Sequence, residues 1–361
     1  MFRSKTTFIV GAGASCEAQL PSGERLKELI GSAIDIRFSD FGRHHTGDAR
    51  IVQALQQKVA DTTRDINPYL KKAWQIRDIV PHAALSIDNY LDAHQGDEEL
   101  ELCGKLSIAK CIIDSEHRSL LQRTERHREN FPLSDLKDTW YVQFLKLLTE
   151  NVRLTDIDNI FDNIAFVIFN YDRCIEQFLA QAIQEYYNVD RQRAVNLVKR
   201  IPIYHPYGTV GILPWLEISD EPQAAFGDNE YIDLLSIAEN IKTFSEKMDD
   251  EEALNSLRTH IAEAETLVFL GFAFHRQNLE LIKPPEPAFT KRIFATVLGV
   301  SESDQDHIKS DLVETLQIGP EDDGYIVPIY RPDGTNAEIV FYNGTCNDLF
   351  RNYWRSLSGT A

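Results

Sequence analysis

Five continuous apolar runs punctuate the chain: Thr6–Gly13 (TTFIVGAG), Ile164–Asp172 (IAFVIFNYD), Ile201–His205 (IPIYH), Thr266–Phe274 (TLVFLGFAF) and Arg292–Val300 (RIFATVLGV). Each is rich in β-branched and aromatic residues and does not alternate with polar ones, the pattern of strands buried on both faces in a parallel sheet. Glu338–Thr345 (EIVFYNGT) adds a sixth candidate. Between the runs, apolar residues recur at helical spacing: Leu26, Leu29, Ile30, Ala33 and Ile34 after the first, then Ile175, Phe178, Leu179, Ala182, Ile183 and Tyr186 after the second. Strand and helix in alternation predict an α/β fold, a Rossmann-like, doubly wound and mainly parallel sheet.

From about Asp35 to Leu154 the alternation stops. This stretch is charged and helical in pattern, with Leu85, Leu91, Leu102, Leu106, Leu120, Leu121, Phe144, Leu145, Leu147 and Leu148 as candidate core positions. It predicts a large helical insertion, residues 35–154, between the two parts of the sheet domain, 1–34 and 155–361. The acidic segment Asp228–Glu265 predicts two helices leading into the Thr266 strand. No internal repeat is evident.

Composition narrows the function classes. The chain has 361 residues, 43% of them hydrophobic, and a net charge of -19. Such acidity argues against a nucleic-acid surface, because Lys and Arg must displace the counterions of bound phosphates. The basic stretch Arg118–Arg128 (RSLLQRTERHR) reads as a solvated helical face. No apolar run reaches membrane-spanning length, and the opening residues lack the long apolar segment of a signal peptide, which predicts a cytoplasmic protein without membrane contact. The five cysteines, Cys16, Cys103, Cys111, Cys174 and Cys346, are scattered and form no CxxC pair, so neither a disulfide framework nor a thiolate zinc site is expected.

Candidate chemistry sits at the ends of the apolar runs, where open α/β sheets bind ligands. In GAGAS, Gly11 and Gly13 permit a sharp strand-to-helix turn and close approach of a phosphate to backbone N–H groups. A dinucleotide fingerprint has a third glycine where Cys16 stands, so both a nucleotide cradle and a plain βα turn stay open. In FNYD, Asn170 and Asp172 share one side if the chain stays extended; a capping role explains Asp172 but not Asn170. In YHPYG, His205 alone among ten histidines follows a strand and opens a Pro/Gly loop, where an imidazole suits a general base or is simply structural. In LGFAFHRQN, Gly271 precedes the polar group His275, Arg276, Gln277 and Asn278.

Taken in order, these four strand ends resemble the sirtuin family, and more closely its bacterial defence-associated, sirtuin-like NAD-hydrolase branch. The resemblance covers the short motifs and not the helical insertion. It implies that Gly11, Ala12, Gly13 and Ser15 hold the pyrophosphate of NAD, that Asn170 positions the nicotinamide ribose or the attacking water, and that Asp172 supports Asn170. It implies contacts from Tyr207, Gly271, Phe272, His275 and Asn278 to the dinucleotide. The family's catalytic His directly precedes a Gly, a place held here by Tyr207, and His205 two residues earlier is the expected base. The zinc module of the deacylases is absent, so water rather than a peptide is the expected acceptor. The implied activity is hydrolysis of NAD to nicotinamide and ADP-ribose, with NAD as substrate and no metal, as effector of a bacterial antiphage system. Control by homo-oligomerisation or by a co-encoded partner such as a HerA-type ATPase follows from the same resemblance. The alternatives are a silent NAD or ADP-ribose sensor and, further off, a deacylase or ADP-ribosyltransferase.

Overall fold

The computed structural model describes residues 2–40, 42–122, 131, 133–217, 222–248, 251–318 and 337–358. Six strands form the main sheet: β1 (Thr6–Val10), β2 (Ile164–Ile168), β3 (Ile203–Tyr204), β4 (Thr266–Leu270), β5 (Arg292–Thr296) and β6 (Glu338–Tyr342). All pairings are parallel, and the order across the sheet is β3-β2-β1-β4-β5-β6. This is the doubly wound Rossmann-like order, in which the chain leaves β1 in one direction and returns to its other side at β4. The four central strands are buried almost throughout, while β3 and β6, at the edges, are only half-buried. Burial on both faces is why these segments read as apolar runs without alternation.

Side chains still alternate between the two faces. Ile9, Val167 and Phe269 enter one core, which is completed by helices Gly23–Ala33, Ala49–Lys58, Asn67–Ala83 and Glu98–Arg118. Phe8, Val10, Phe166, Ile168, Val268 and Leu270 enter the other, beneath helices Trp140–Thr149, Cys174–Tyr187 and Cys346–Asn352. There Phe8 stacks on Phe166 at 5.2 Å and meets Phe144 edge-on at 5.3 Å, and Trp140 stacks on Phe350. The stretch between β1 and β2 thus divides: its first helices cover one face, and Trp140–Thr149 covers the other.

Helix Glu98–Arg118 is buried nearly all round and carries three charged residues inward. Lys105 pairs with Glu101 and Glu246, and Lys110 pairs with Asp48 and Asp114. Glu116, fully buried, meets Arg173, the residue after Asp172. Its carboxylate accepts from the Arg173 backbone N–H at 3.0 Å, from Nε at 3.1 Å and from the guanidinium NH2 at 2.5 Å. The other guanidinium donors go to the carbonyls of Gly211, Ala224 and Ala225. The pair bolts the insertion to the end of β2 and to the loop after β3.

Three expectations need correction in detail. Leu85 is 61% exposed rather than core, because it lies on the rim of a cavity described below. The Asp228–Glu265 segment holds three helices, Leu234–Glu239, Phe244–Met248 and Glu251–Glu263, instead of two. The basic stretch ends its helix at Arg118, and residues 123–128 lie outside the described residues. Among the described residues no helix is long and apolar enough to cross a membrane, and all five cysteines are free thiols.

Breaking a buried ion pair from one side leaves the other charge unpaired, at a cost of ~3–5 kcal/mol. Arg173→Ala should lower unfolding free energy by about that amount in urea titration, and a loss under ~1 kcal/mol would refute the role given to the pair.

Candidate functional site

The loops that follow β1 and β4 meet at the point where strand order reverses. The Gly11 N–H donates to the Leu270 carbonyl at 2.9 Å, and the Gly13 N–H donates to the Gly271 carbonyl at 3.0 Å. The two loops touch backbone to backbone. A Cβ on Gly11 would lie 2.5 Å from the Gly271 oxygen, and one on Gly271 would lie 2.1 Å from the Ala14 nitrogen. Gly271 also has φ +54, a left-handed conformation that disfavours other residues. The glycines of GAGAS are therefore required by the protein's own packing, whatever else they bind.

Past the turn, Ala12–Ser15 forms one helical turn and Cys16–Ala18 a 3-10 turn. The longer helix Gly23–Ala33 then starts at Ser22, whose side chain accepts from the Arg25 N–H. The Ser15 side chain is buried and points to the end of β2. Its hydroxyl donates to Asp172 Oδ2 at 2.9 Å and accepts from Asn170 Nδ2 at 2.9 Å. Asp172 Oδ1 also accepts from the Cys174 N–H, so Asp172 does cap the next helix while holding Ser15. Burial raises the pKa of its carboxyl, against the lowering effect of these hydrogen bonds. Asn170, Ser15 and Asp172 form one chain of hydrogen bonds that ties the turn after the first strand to the end of the second.

Above this network lies a cavity of about 200 Å3. Of the residues singled out from sequence, Gly11, Ala12, Gly13, Asn170, Tyr207, Gly271, Phe272, His275 and Asn278 line it. Ser15 and Asp172 stand behind Asn170 and do not. His205 does not either: it lines two other cavities at the β3 edge. Its Nδ1 faces the Asn170 carbonyl at 3.2 Å and its Nε2 faces Glu176 Oε1 at 2.8 Å. Both acceptors are satisfied together only by a doubly protonated ring. Burial opposes that charge, yet the Glu176 carboxylate and the two hydrogen bonds outweigh it and raise the His205 pKa.

The sequence did not point to the cavity's remaining wall. The insertion supplies Leu85, Ser86, Asp88 and Asn89, where Ser86 caps helix Ile87–Ala93 by accepting from the Asn89 N–H. Ser-x-x-Asn is a helix-start signal, but nothing in it announces a sheet 80 residues away. The Tyr171 hydroxyl donates to Asp88, and the Tyr207 hydroxyl donates to Asn278 Oδ1 at 2.7 Å. Burial, then Asp88 and Asp92, push the Tyr207 pKa up, so that hydroxyl stays protonated. His275 is shifted the other way: burial lowers its pKa, with Asp88 in partial opposition, which keeps the ring neutral. Phe169 and Phe272, with ring centroids 5.0 Å apart, form the apolar side.

Helices Ala12–Ser15, Gly23–Ala33, Ile87–Ala93 and Arg276–Ile282 all place N-terminal residues on this cavity. Their positive ends favour an anion there, opposed by Asp88 in the same wall and by the internal acceptors that the Gly11, Gly13, Ala14, Asn89 and Asn278 N–H groups already have. Among the described residues no cluster of His, Cys, Asp and Glu is suited to a metal ion. No protein-family model matches the chain, and no curated protein does.

Two outcomes follow from the network. Ser15→Ala strips a partner from both Asn170 and Asp172 and should cost about 1–3 kcal/mol of stability, measured by urea unfolding; an unchanged midpoint would refute the role given to Ser15. The raised His205 pKa means that its contribution is complete below ~pH 6.5 and fades as pH rises through the folded-state value. Wild-type stability should therefore fall above that pH relative to His205→Gln, and parallel pH profiles would contradict the pairing.

Proposed function

We propose that this protein binds NAD in the switch-point cavity and hydrolyses its nicotinamide glycosidic bond. The observation that carries the reading is the convergence of the Gly11–Gly13 turn, Asn170 and the Gly271–Asn278 segment on one cavity ringed by helix N-termini. Those N-termini suit the pyrophosphate, and Phe169 and Phe272 suit a flat ring. At about 200 Å3 the cavity is below the ~300–1,000 Å3 usual for small-molecule sites, so a whole dinucleotide requires it to open further.

In this reading the bond between ribose C1′ and the nicotinamide nitrogen breaks, its electron pair leaves with nicotinamide, and water adds to the oxocarbenium carbon. Asn170 orients the ribose or the water. His275, the described histidine that faces the cavity, is neutral and takes the proton of the water. His205 holds Asn170 through its carbonyl and acts as a positioning residue. The same motifs support a role as a toxic, NAD-depleting effector of antiphage defence in the cytoplasm, held off by self-assembly or by a HerA-type partner.

A second reading is favoured by one observation: His205 is turned out of the cavity, and Tyr207 takes the place of the expected base. A protein so built binds NAD or ADP-ribose and reports its level without cleaving it.

Nicotinamide release from NAD, by the purified protein alone and with its genomic neighbour, separates the two. Hydrolysis predicts release that drops at least ~100-fold in His275→Ala, the lower end of the ~10²–10⁴-fold range for loss of an acid–base group, and comparably in Asn170→Ala, which loses the group that orients the ribose or the water. His205→Ala should lose less than ~10-fold. Release that survives Asn170→Ala overturns the site; tight NAD binding with no release in either sample establishes the sensor.

A further inference from the structure

A second cavity, of about 210 Å3, opens beside the β3 edge, and the NAD reading makes no use of it. Its walls are mainly apolar, with Val198, Ile201, Leu213 and Leu216 facing Glu176 and His205. Glu176 is only 6% exposed. One carboxylate oxygen, Oε1, accepts from His205, while the other, Oε2, is buried and has no partner. A buried carboxylate oxygen without a donor carries an uncompensated desolvation cost.

The charged and hydroxyl donors that line the cavity are directed elsewhere. Arg173 lines the cavity, but its guanidinium is engaged by Glu116 and by the carbonyls of Gly211, Ala224 and Ala225. The Thr209 hydroxyl donates to the Gly211 carbonyl. Charge is closed as well: Glu176 balances His205, Glu116 balances Arg173, and Lys199, which also lines the cavity, pairs with Glu217 at 2.6 Å. A cationic ligand would bring an unpaired charge beside Arg173, Lys199 and His205 in a largely apolar cavity, which is costly. A neutral donor on an apolar body meets both conditions.

We propose that this cavity is a binding site for a small, neutral, largely apolar molecule, up to two fused rings in size, that donates one N–H or O–H to Glu176 Oε2. The site is separate from the switch-point cavity, and its recognition element is the single orphan acceptor. Ligands without a donor fill the same space but leave Oε2 unsatisfied, so the site discriminates between isosteres.

Indole and benzofuran, alike in shape but differing in the N–H, are the probes. Titrated calorimetrically into the full-length protein, indole should bind at least tenfold more tightly than benzofuran. In a crystal soaked with indole, its nitrogen should lie within hydrogen-bond distance of Glu176 Oε2. Leu216→Trp, which fills the cavity from its partly exposed wall, should abolish indole binding with little change in thermal midpoint. Equal affinity for the two probes, no binding of either, indole density at another site, or a cavity that holds ordered water alone in the presence of indole would each overturn the assignment. The isostere comparison is made on the unmodified protein and stands even if the tryptophan variant misfolds.

Discussion

Arg173 and Glu116 are the contact on which the site's geometry depends. Arg173 follows Asp172 directly, so where its guanidinium is fixed, the end of β2 is fixed with it. Glu116 comes from the long buried helix of the insertion, and the three carbonyl partners come from the loop after β3. One buried ion pair thus joins three parts of the chain that are far apart in sequence. Such a pair adds little net stability over apolar packing, but its directional demands select one arrangement among many. Here the arrangement brings Ser86 and Asp88 from the insertion, Asn170 from β2 and Tyr207 from the loop onto a common cavity.

The fold was largely legible because its four central strands are buried on both sides, which leaves short, continuous apolar runs that end at glycine or polar residues. The glycine turn and the Asn170–Asp172 pair were legible for a related reason: polar residues at the end of a buried strand need partners, and they find them in Ser15. The orientation of His205 was not legible. Two residues apart in an extended chain share a side, yet a turn closes from the Gly208 N–H to the His205 carbonyl at 3.0 Å, with Gly208 at φ +75. That turn sends His205 toward Glu176 and Tyr207 toward Asn278. Glu116 was equally silent, since an acid in a charged helical stretch looks solvated until its partner, 57 positions on, is known.

The insertion's part in the cavity shows the same limit. Leu85 reads as core by hydropathy but sits on a rim, where its exposure follows from the cavity beside it. Periodicity reports which residues are apolar, and only packing decides whether they face an interior or an opening.

The contact between the loops after β1 and β4 also constrains how this sequence can drift. Gly11 and Gly13 belong to one half of the sheet and Gly271 to the other, and each occupies the room a side chain on its counterpart would need. The obstructing atoms are backbone, so no neighbouring side chain can shrink to admit a first substitution. The three positions form a linked set: among descendants of this chain they persist together or are lost through a rebuilt junction. The two halves of the sheet, though each a complete α/β unit in outline, cannot be exchanged independently with those of another protein unless the incoming loop is equally bare.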